Sequence, residues 1–143
     1  MKLASVVAFV TMVVAVAALL NAHSLFAHSP PAIAFQVGAV LLMIWARLTF
    51  GLRSFHAAAN PTGEGLIATG PYRFLRHPIY ASICLFVWAG ILDHLSLLSI
   101  SLGALATASA IVRMTCEEYF LLQRYPEYPR YMRETKQFLP GVW

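Results

Sequence analysis

The residues best suited to chemistry lie close together in residues 70–80, beside a long apolar run. They are two arginines, a histidine and two tyrosines, namely Tyr72, Arg73, Arg76, His77 and Tyr80. Polar groups at a bilayer edge are costly to bury, so a dense group of them there indicates a site. If a helix starts near Pro78, its N-terminus and His77 suit an anionic ligand group. The competing interpretation is an interfacial anchor, with arginines on lipid phosphate and tyrosines in the aromatic belt.

A second group of candidate residues contains Arg113, Glu117 and Glu118. Arg113 and Glu117 are four residues apart and would share one helix face, so a structural ion pair explains them simply. Glu118 reaches the same partner less easily, and nearly every other charge nearby is basic. Two adjacent carboxylates just beyond a membrane helix suit an ammonium or another cationic ligand group.

The remaining chemistry-bearing residues support fewer interpretations. The tail residues Tyr119, Phe120, Tyr125, Tyr128, Tyr131 and Phe138 have the aromatic density of a membrane-surface anchor. No histidine or cysteine spacing resembles a zinc site, so we expect no metal. Gly63-Glu64-Gly65 lacks the strand and the spacing of a dinucleotide fingerprint.

The elements that must position these residues are membrane helices. The 143-residue chain is 59% hydrophobic and 11% charged, unlike a soluble domain. Spanning a bilayer takes roughly 17–25 helical residues. We therefore predict an all-α integral membrane protein with one domain, residues 1–143. It has four transmembrane helices at about 3–20, 31–50, 77–92 and 95–112, a loop at 51–76, and a helical interfacial tail at 113–143.

The placement of basic residues predicts the orientation of these helices. All ten lysines and arginines can lie on one side, whereas the connections at 21–30 and 93–94 contain none. By the positive-inside rule, both termini, the central loop and the candidate site are cytoplasmic. The basic pI of about 9.4 is then explained by the positive-inside topology and by contact of basic residues with an anionic membrane leaflet. No nucleic-acid partner is therefore expected. A cleaved signal peptide over residues 1–27 is the alternative for the first apolar run.

Three ordered motifs carry a resemblance to a known family. Gly70-Pro71-Tyr72 with Arg76-His77-Pro78-Ile79-Tyr80 is followed by Glu117-Glu118, and then by Glu127-Tyr128, Tyr131 and Phe138-Leu139-Pro140. Together they resemble the isoprenylcysteine carboxyl methyltransferases, whose general plan the phospholipid N-methyltransferases share. The resemblance covers residues 64–140. It implies a membrane enzyme that uses S-adenosylmethionine without a soluble Rossmann-type domain.

The resemblance also implies which residues form a cytoplasmic cofactor pocket. The expected cofactor-binding residues are Glu64, Gly65, Leu66, Ile67, Tyr72, His77, Pro78, Ile79, Tyr80, Glu117 and Glu118. His77 would hold the cofactor carboxylate and a glutamate its ammonium, while a tyrosine faces the sulfonium or the adenine. The expected catalytic residues are Arg113, Glu117 and Arg76. A carboxylate acceptor is already a nucleophile at neutral pH, so an arginine need only position it.

Several functional alternatives stay open at this point. The expected acceptor is a lipophilic or prenylated acid that reaches the site from the membrane lipid, but phospholipid, amine and thiol acceptors also suit such a site. An NADPH-dependent membrane reductase shares an Arg-His-Pro segment and is a second class. A non-catalytic scaffold or lipid-binding protein is a third. The oligomeric state is undetermined by the sequence.

Overall fold

The chain folds into a bundle of α-helices, described here from a computed structural model that covers residues 1–51 and 66–138. In this part of the chain five α-helices follow one another, at Lys2–Asn21 (α1), Pro30–Phe50 (α2), Pro78–Asp93 (α3), Leu97–Arg124 (α4) and Tyr128–Glu134 (α5). A short 3-10 helix at Gly70–Arg73 precedes α3. The all-α prediction is therefore confirmed.

Three of these helices, α1, α2 and α4, are long and apolar enough to cross a membrane, and α3 is apolar but shorter, with 16 residues. Large apolar side chains are exposed on the outer faces, including Leu3, Leu48 and Leu97. Broad exposed apolar surface marks contact with membrane or another apolar partner. These features indicate an integral membrane protein, while its orientation remains a prediction.

Local sequence signals explain where the helices begin. Proline occupies the first position of both α2 and α3, where its missing N–H costs no helical hydrogen bond. Helix α4 starts with a capping box, in which the Ser96 hydroxyl accepts from the Ser99 N–H at 3.0 Å and the Ser99 hydroxyl accepts from the Ser96 N–H at 3.0 Å. The predicted start of the third helix near residue 77 agrees with His77 as its N-cap residue.

Helix α4 differs from the sequence prediction in its length. We expected the fourth membrane helix to end at residue 112, with a separate helical segment following it. The structure joins the two into one helix that continues to Arg124. Backbone hydrogen bonding does not stop at a bilayer edge, so the polar residues after 112 extend the same rod. The tail helix, α5, has seven residues and ends at Glu134.

Small residues allow α1 and α4 to pack closely. The buried positions of α1 are Ser5, Ala8, Met12, Ala15 and Leu19, which alternate at spacings of three and four. They form one stripe along the helix. On α4 the buried positions include Gly103, Ala106 and Ala110. Small side chains of this kind let membrane helices approach each other closely.

The connection between α1 and α2 is fixed against α3 by a buried amide. The side-chain N–H₂ of Gln36 donates to the carbonyl oxygens of Leu25 at 2.7 Å and Phe86 at 3.1 Å, and its oxygen accepts from the Ala27 N–H at 3.1 Å. One side chain on α2 thereby orders both the loop and the neighbouring helix. The end of the bundle opposite the candidate site is consequently well defined.

Candidate functional site

The site lies where the first turn of α3 meets the second half of α4. His77, Pro78, Ile79 and Tyr80 belong to that turn, whereas Arg113, Glu117 and Glu118 project from α4. The turn of the chain between α3 and α4 makes the two helices antiparallel neighbours, so residues more than thirty positions apart come within hydrogen-bonding distance. The two clusters proposed from the sequence therefore form one cluster.

Tyr80 links Arg113 and Glu117 in a continuous hydrogen-bonded chain. The Arg113 Nε donates to the Tyr80 hydroxyl oxygen at 2.6 Å, and that hydroxyl donates to Glu117 Oε1 at 2.5 Å. The Arg113 Nη2 also lies 3.4 Å from the same carboxylate oxygen. Hydrogen bonds of this kind, with one charged partner, are stronger than neutral ones. The chain holds the Glu117 carboxylate in place, with 24% of its side chain still exposed.

Arg113 itself is deeply buried, with 4% of its surface exposed. Its Nη1 lies 3.2 Å from both the carbonyl and the hydroxyl oxygen of Ser5, and its guanidinium carbon lies 4.9 Å from the centre of the Phe9 ring. These contacts tie α1 to the site. The geometry gives Arg113 the role of a positioning residue, whereas its predicted contact with the acceptor remains a prediction.

His77 lies between the two glutamates. Its Nε2 is 3.2 Å from Glu118 Oε1, and its Nδ1 is 3.6 Å from Glu117 Oε2. The sequence predicts that His77, together with free backbone N–H groups of its turn, binds a carboxylate of the ligand. In the structure the N–H groups of Arg76 and His77 donate to the tail carbonyls of Lys136 and Gln137 instead. These two N–H groups are thus not free for a ligand.

Arg76 joins the site to the C-terminal tail. Its Nε donates to Glu118 Oε1 at 2.8 Å, and its Nη1 donates to the carbonyl oxygens of Met132 at 3.0 Å and Thr135 at 2.7 Å. A short parallel pairing of Leu75 with Lys136 runs alongside. Arg76 therefore holds α5 and the following residues against α4, which leaves less of its donor capacity for an acceptor than we expected.

Replacing Arg76 by alanine should loosen this attachment. The side chains of Arg76 and Glu118 are only 10% and 12% exposed, so the loss removes charge-assisted hydrogen bonds and leaves Glu118 with fewer donors. We expect the free energy of unfolding to fall by roughly 2 kcal/mol and proteolysis of the tail to quicken. Thermal unfolding in detergent and limited proteolysis measure both effects.

The matched control for that variant is Arg130→Ala. Arg130 forms an ion pair with Glu134 in which the side chains are 79% and 59% exposed. Exposed pairs of this kind contribute little to stability, because water and salt screen them. Equal destabilisation by the two substitutions would contradict the anchoring role of Arg76.

Two tyrosines of the tail, Tyr128 and Tyr131, are buried beside this site and are not surface anchors. Tyr131 donates to the carbonyl oxygen of Tyr72 at 2.6 Å, and Tyr128 packs beside Tyr131 and Leu66. Burial raises the pKa of Tyr72, Tyr128 and Tyr131 above its usual value, so these hydroxyls stay neutral. The prediction that most tail aromatics lie at the membrane surface is wrong for Tyr128 and Tyr131.

The other predicted cofactor residues lie around this cluster or outside the described residues. Tyr72 is buried with its ring 5.4 Å from that of Phe50. Leu66 and Ile67 line a surface pocket of about 510 Å³ with the end of α2. Pro78 is buried and Ile79 half-buried. Glu64 and Gly65, as well as Leu139 and Pro140 of the tail motif, lie outside the described residues.

Ser5 and Phe9 are contacts of the site that the sequence interpretation missed. The sequence contains one weak signal for Ser5, because this polar residue falls on the same three-and-four stripe as Ala8 and Met12. A polar residue on an apolar helix face needs a partner in the membrane. Phe9 carries no such signal.

The sequence of the whole chain identifies its class. Residues 26–128 match the family described as phospholipid methyltransferase, and the chain belongs to that family. It is also similar to the nickel-cobalt-cadmium resistance protein NccN of Alcaligenes xylosoxydans xylosoxydans, with 37% identity over 81 residues. That alignment covers 54% of this chain and 37% of NccN. No solved structure matches the chain.

Proposed function

We propose that this protein transfers a methyl group from S-adenosylmethionine to a membrane-associated acceptor. The observation that carries the proposal is the cluster of Tyr80, Arg113, Glu117 and Glu118 inside the residues that match the methyltransferase family. A carboxylate held in place by buried donors, yet still partly exposed, is suited to bind a positively charged ligand.

The residues present fit this cofactor. When bound, S-adenosylmethionine supplies an electrophilic methyl group on a sulfonium centre. Among the described residues, the buried hydroxyl of Tyr128 lacks a hydrogen-bond partner, so a ligand group can satisfy it. Glu117 is the first candidate for the ammonium, because Glu118 is already bonded to Arg76 and His77. Leu66 and Ile67 supply an apolar wall.

The protein's part in the reaction is to align the reactants and exclude water. Arg113 and Tyr80 hold Glu117, and Arg76 holds the tail over the site. Correct alignment of two reactants can by itself lower the activation free energy by roughly 7–11 kcal/mol. No described side chain need remove a proton when the acceptor is a carboxylate.

Charge balance favours a carboxylate acceptor. The two positive charges of Arg76 and Arg113 balance the two carboxylates of Glu117 and Glu118, so these four side chains together have no net charge. S-adenosylmethionine has a net charge of one positive unit, and an anionic acceptor brings the filled site back to neutrality. An isoprenylcysteine or a similar lipophilic acid is therefore the proposed substrate class, and a phospholipid amine or a thiol is the alternative.

Transfer of a tritiated methyl group to a membrane lipid extract tests both parts of the proposal. Alkali hydrolyses a methyl ester and releases volatile tritiated methanol, whereas a methylated amine or thioether retains its label. We expect extractable label that alkali releases as methanol. Label that resists alkali would refute the carboxylate acceptor, and the absence of transfer by the folded protein to any fraction would contradict the methyltransferase proposal.

A further inference from the structure

A second cluster lies at the opposite end of the bundle, where the loop before α2 meets the end of α3. It consists of His28, Asp93 and His94, whose potential ligand atoms all lie within 4.8 Å of one another. Tyr80 and Asp93 are thirteen residues apart on α3, which places the two clusters roughly 20 Å apart. This cluster is therefore separate from the methyltransferase site.

We propose that His28, Asp93 and His94 bind a late first-row divalent metal ion, such as Zn²⁺, Ni²⁺ or Co²⁺. Two imidazole nitrogens and one carboxylate oxygen are the donor types that these ions prefer. The expectation from sequence spacing was that the chain has no metal site. The spacing of histidines and cysteines along the sequence does not indicate this metal site, because its ligands come from two separate connections.

The distances within the cluster suit a shared ion. His28 Nδ1 and His94 Nε2 are 2.8 Å apart. Two nitrogens bound at about 2.1 Å to one ion lie roughly 3.0–3.4 Å apart, so only a small opening is required. The carbonyl oxygen of Phe26 lies 2.9 Å from His94 Nε2 and borders the same space. Water completes the coordination of an exposed ion.

The backbone around the ligands is fixed without the ion. The Asp93 carboxylate accepts from the N–H groups of His28 at 2.5 Å and Ser29 at 2.9 Å, which ties the α1–α2 connection to the end of α3. Gln36 holds the same connection through Leu25 and Ala27. A ligand set that is already assembled loses little conformational freedom when an ion binds.

Binding requires a change of tautomer but no net loss of a proton. Without metal, one hydrogen lies between Nδ1 of His28 and Nε2 of His94, which face each other. Each of these nitrogens must offer its lone pair to the ion, so as the two metal–nitrogen bonds form this hydrogen moves, through solvent, to the other nitrogen of its own ring, and each imidazole keeps one N–H. Neither the protein nor the ion changes oxidation state.

Equilibrium dialysis with metal analysis tests the proposal on the full chain, purified in detergent without a histidine tag and stripped with chelator. We expect one equivalent of Zn²⁺, Ni²⁺ or Co²⁺ per chain, and no comparable binding of Mg²⁺, which prefers oxygen ligands. His28→Gln and His94→Gln should each weaken binding by about tenfold or more, which corresponds to about 1.4 kcal/mol.

The matched control is His23→Asn. His23 is an exposed histidine in the same connection, and its φ of 53° is one that asparagine adopts readily. Unchanged affinity in this variant, with loss in the other two, would support the site. Equal affinity in all variants, or no binding by the wild-type chain, would overturn it. His28 is exposed, so His28→Gln keeps the test decisive if His94→Gln fails to fold.

Discussion

Replacing Glu117 by glutamine should lower methyl transfer at limiting S-adenosylmethionine by about 10- to 100-fold. The substitution keeps the size of the side chain but removes the charge that is proposed to meet the cofactor ammonium. A hydrogen bond to a charged group contributes roughly 1.5–3 kcal/mol, which corresponds to one to two orders of magnitude in affinity. The effect should appear mainly in KM for the cofactor, measured by initial rates over a range of its concentration.

Two variants separate this role from a structural one. Glu117→Asp keeps the charge and should retain more cofactor affinity than the glutamine variant. Glu134→Gln removes an exposed carboxylate that pairs with Arg130 on α5 and should leave KM unchanged. The contradicting outcome is a Glu117→Gln variant that is less stable but whose folded fraction has a normal KM for the cofactor. That result would mean that Glu117 supports Arg113 and Tyr80 and does not bind the cofactor.

Gly90→Ala should destabilise the protein by roughly 3 kcal/mol. A Cβ atom on Gly90 would lie 2.1 Å from the Leu25 carbonyl oxygen and 2.6 Å from the Leu25 carbonyl carbon. Both are backbone atoms of a connection that Gln36 holds in place, so the loop must be displaced. Thermal unfolding in a single detergent measures the loss.

Gly38→Ala is the control for that steric argument. Gly38 is also within a helix, but a Cβ atom there meets nothing within 4 Å. Alanine is the better helix former, so this variant should be stabilised by roughly 0.5–1 kcal/mol. Equal destabilisation in the two variants would show that the close contact of Gly90 with Leu25 is absent in the folded protein.

Much of the fold follows from local sequence features. Apolar runs of membrane length predicted α1, α2 and α4, and Pro78 predicted the start of α3. The charges of Arg113, Glu117 and Glu118 predict the end of a membrane helix, so the continuation of α4 to Arg124 does not follow from the sequence. A helix continues as long as its backbone hydrogen bonds are made and its side chains find partners. Here Tyr80 donates to Glu117 and Arg76 donates to Glu118.

The candidate site was predictable only in part. The short connection at 93–94 makes α3 and α4 antiparallel neighbours, and this brings Tyr80 to Arg113 and His77 to Glu117. The contacts of Ser5 with Arg113 and of Arg76 with the tail depend on packing between distant segments, which no local pattern encodes. The metal-ligand cluster also depends on packing between distant segments. The sequence predicts only that the connections at 21–30 and 93–94 lie on the same side of the membrane.

Isothermal titration of the detergent-purified protein with S-adenosylhomocysteine measures binding at the proposed cofactor site. We expect saturable binding to one site per chain, weakened by about 10- to 100-fold in Glu117→Gln and unchanged in Glu134→Gln. NADPH should not bind and should not compete, which distinguishes a methyltransferase from a membrane reductase. No binding of S-adenosylhomocysteine to protein with an intact thermal unfolding transition would contradict the methyltransferase proposal.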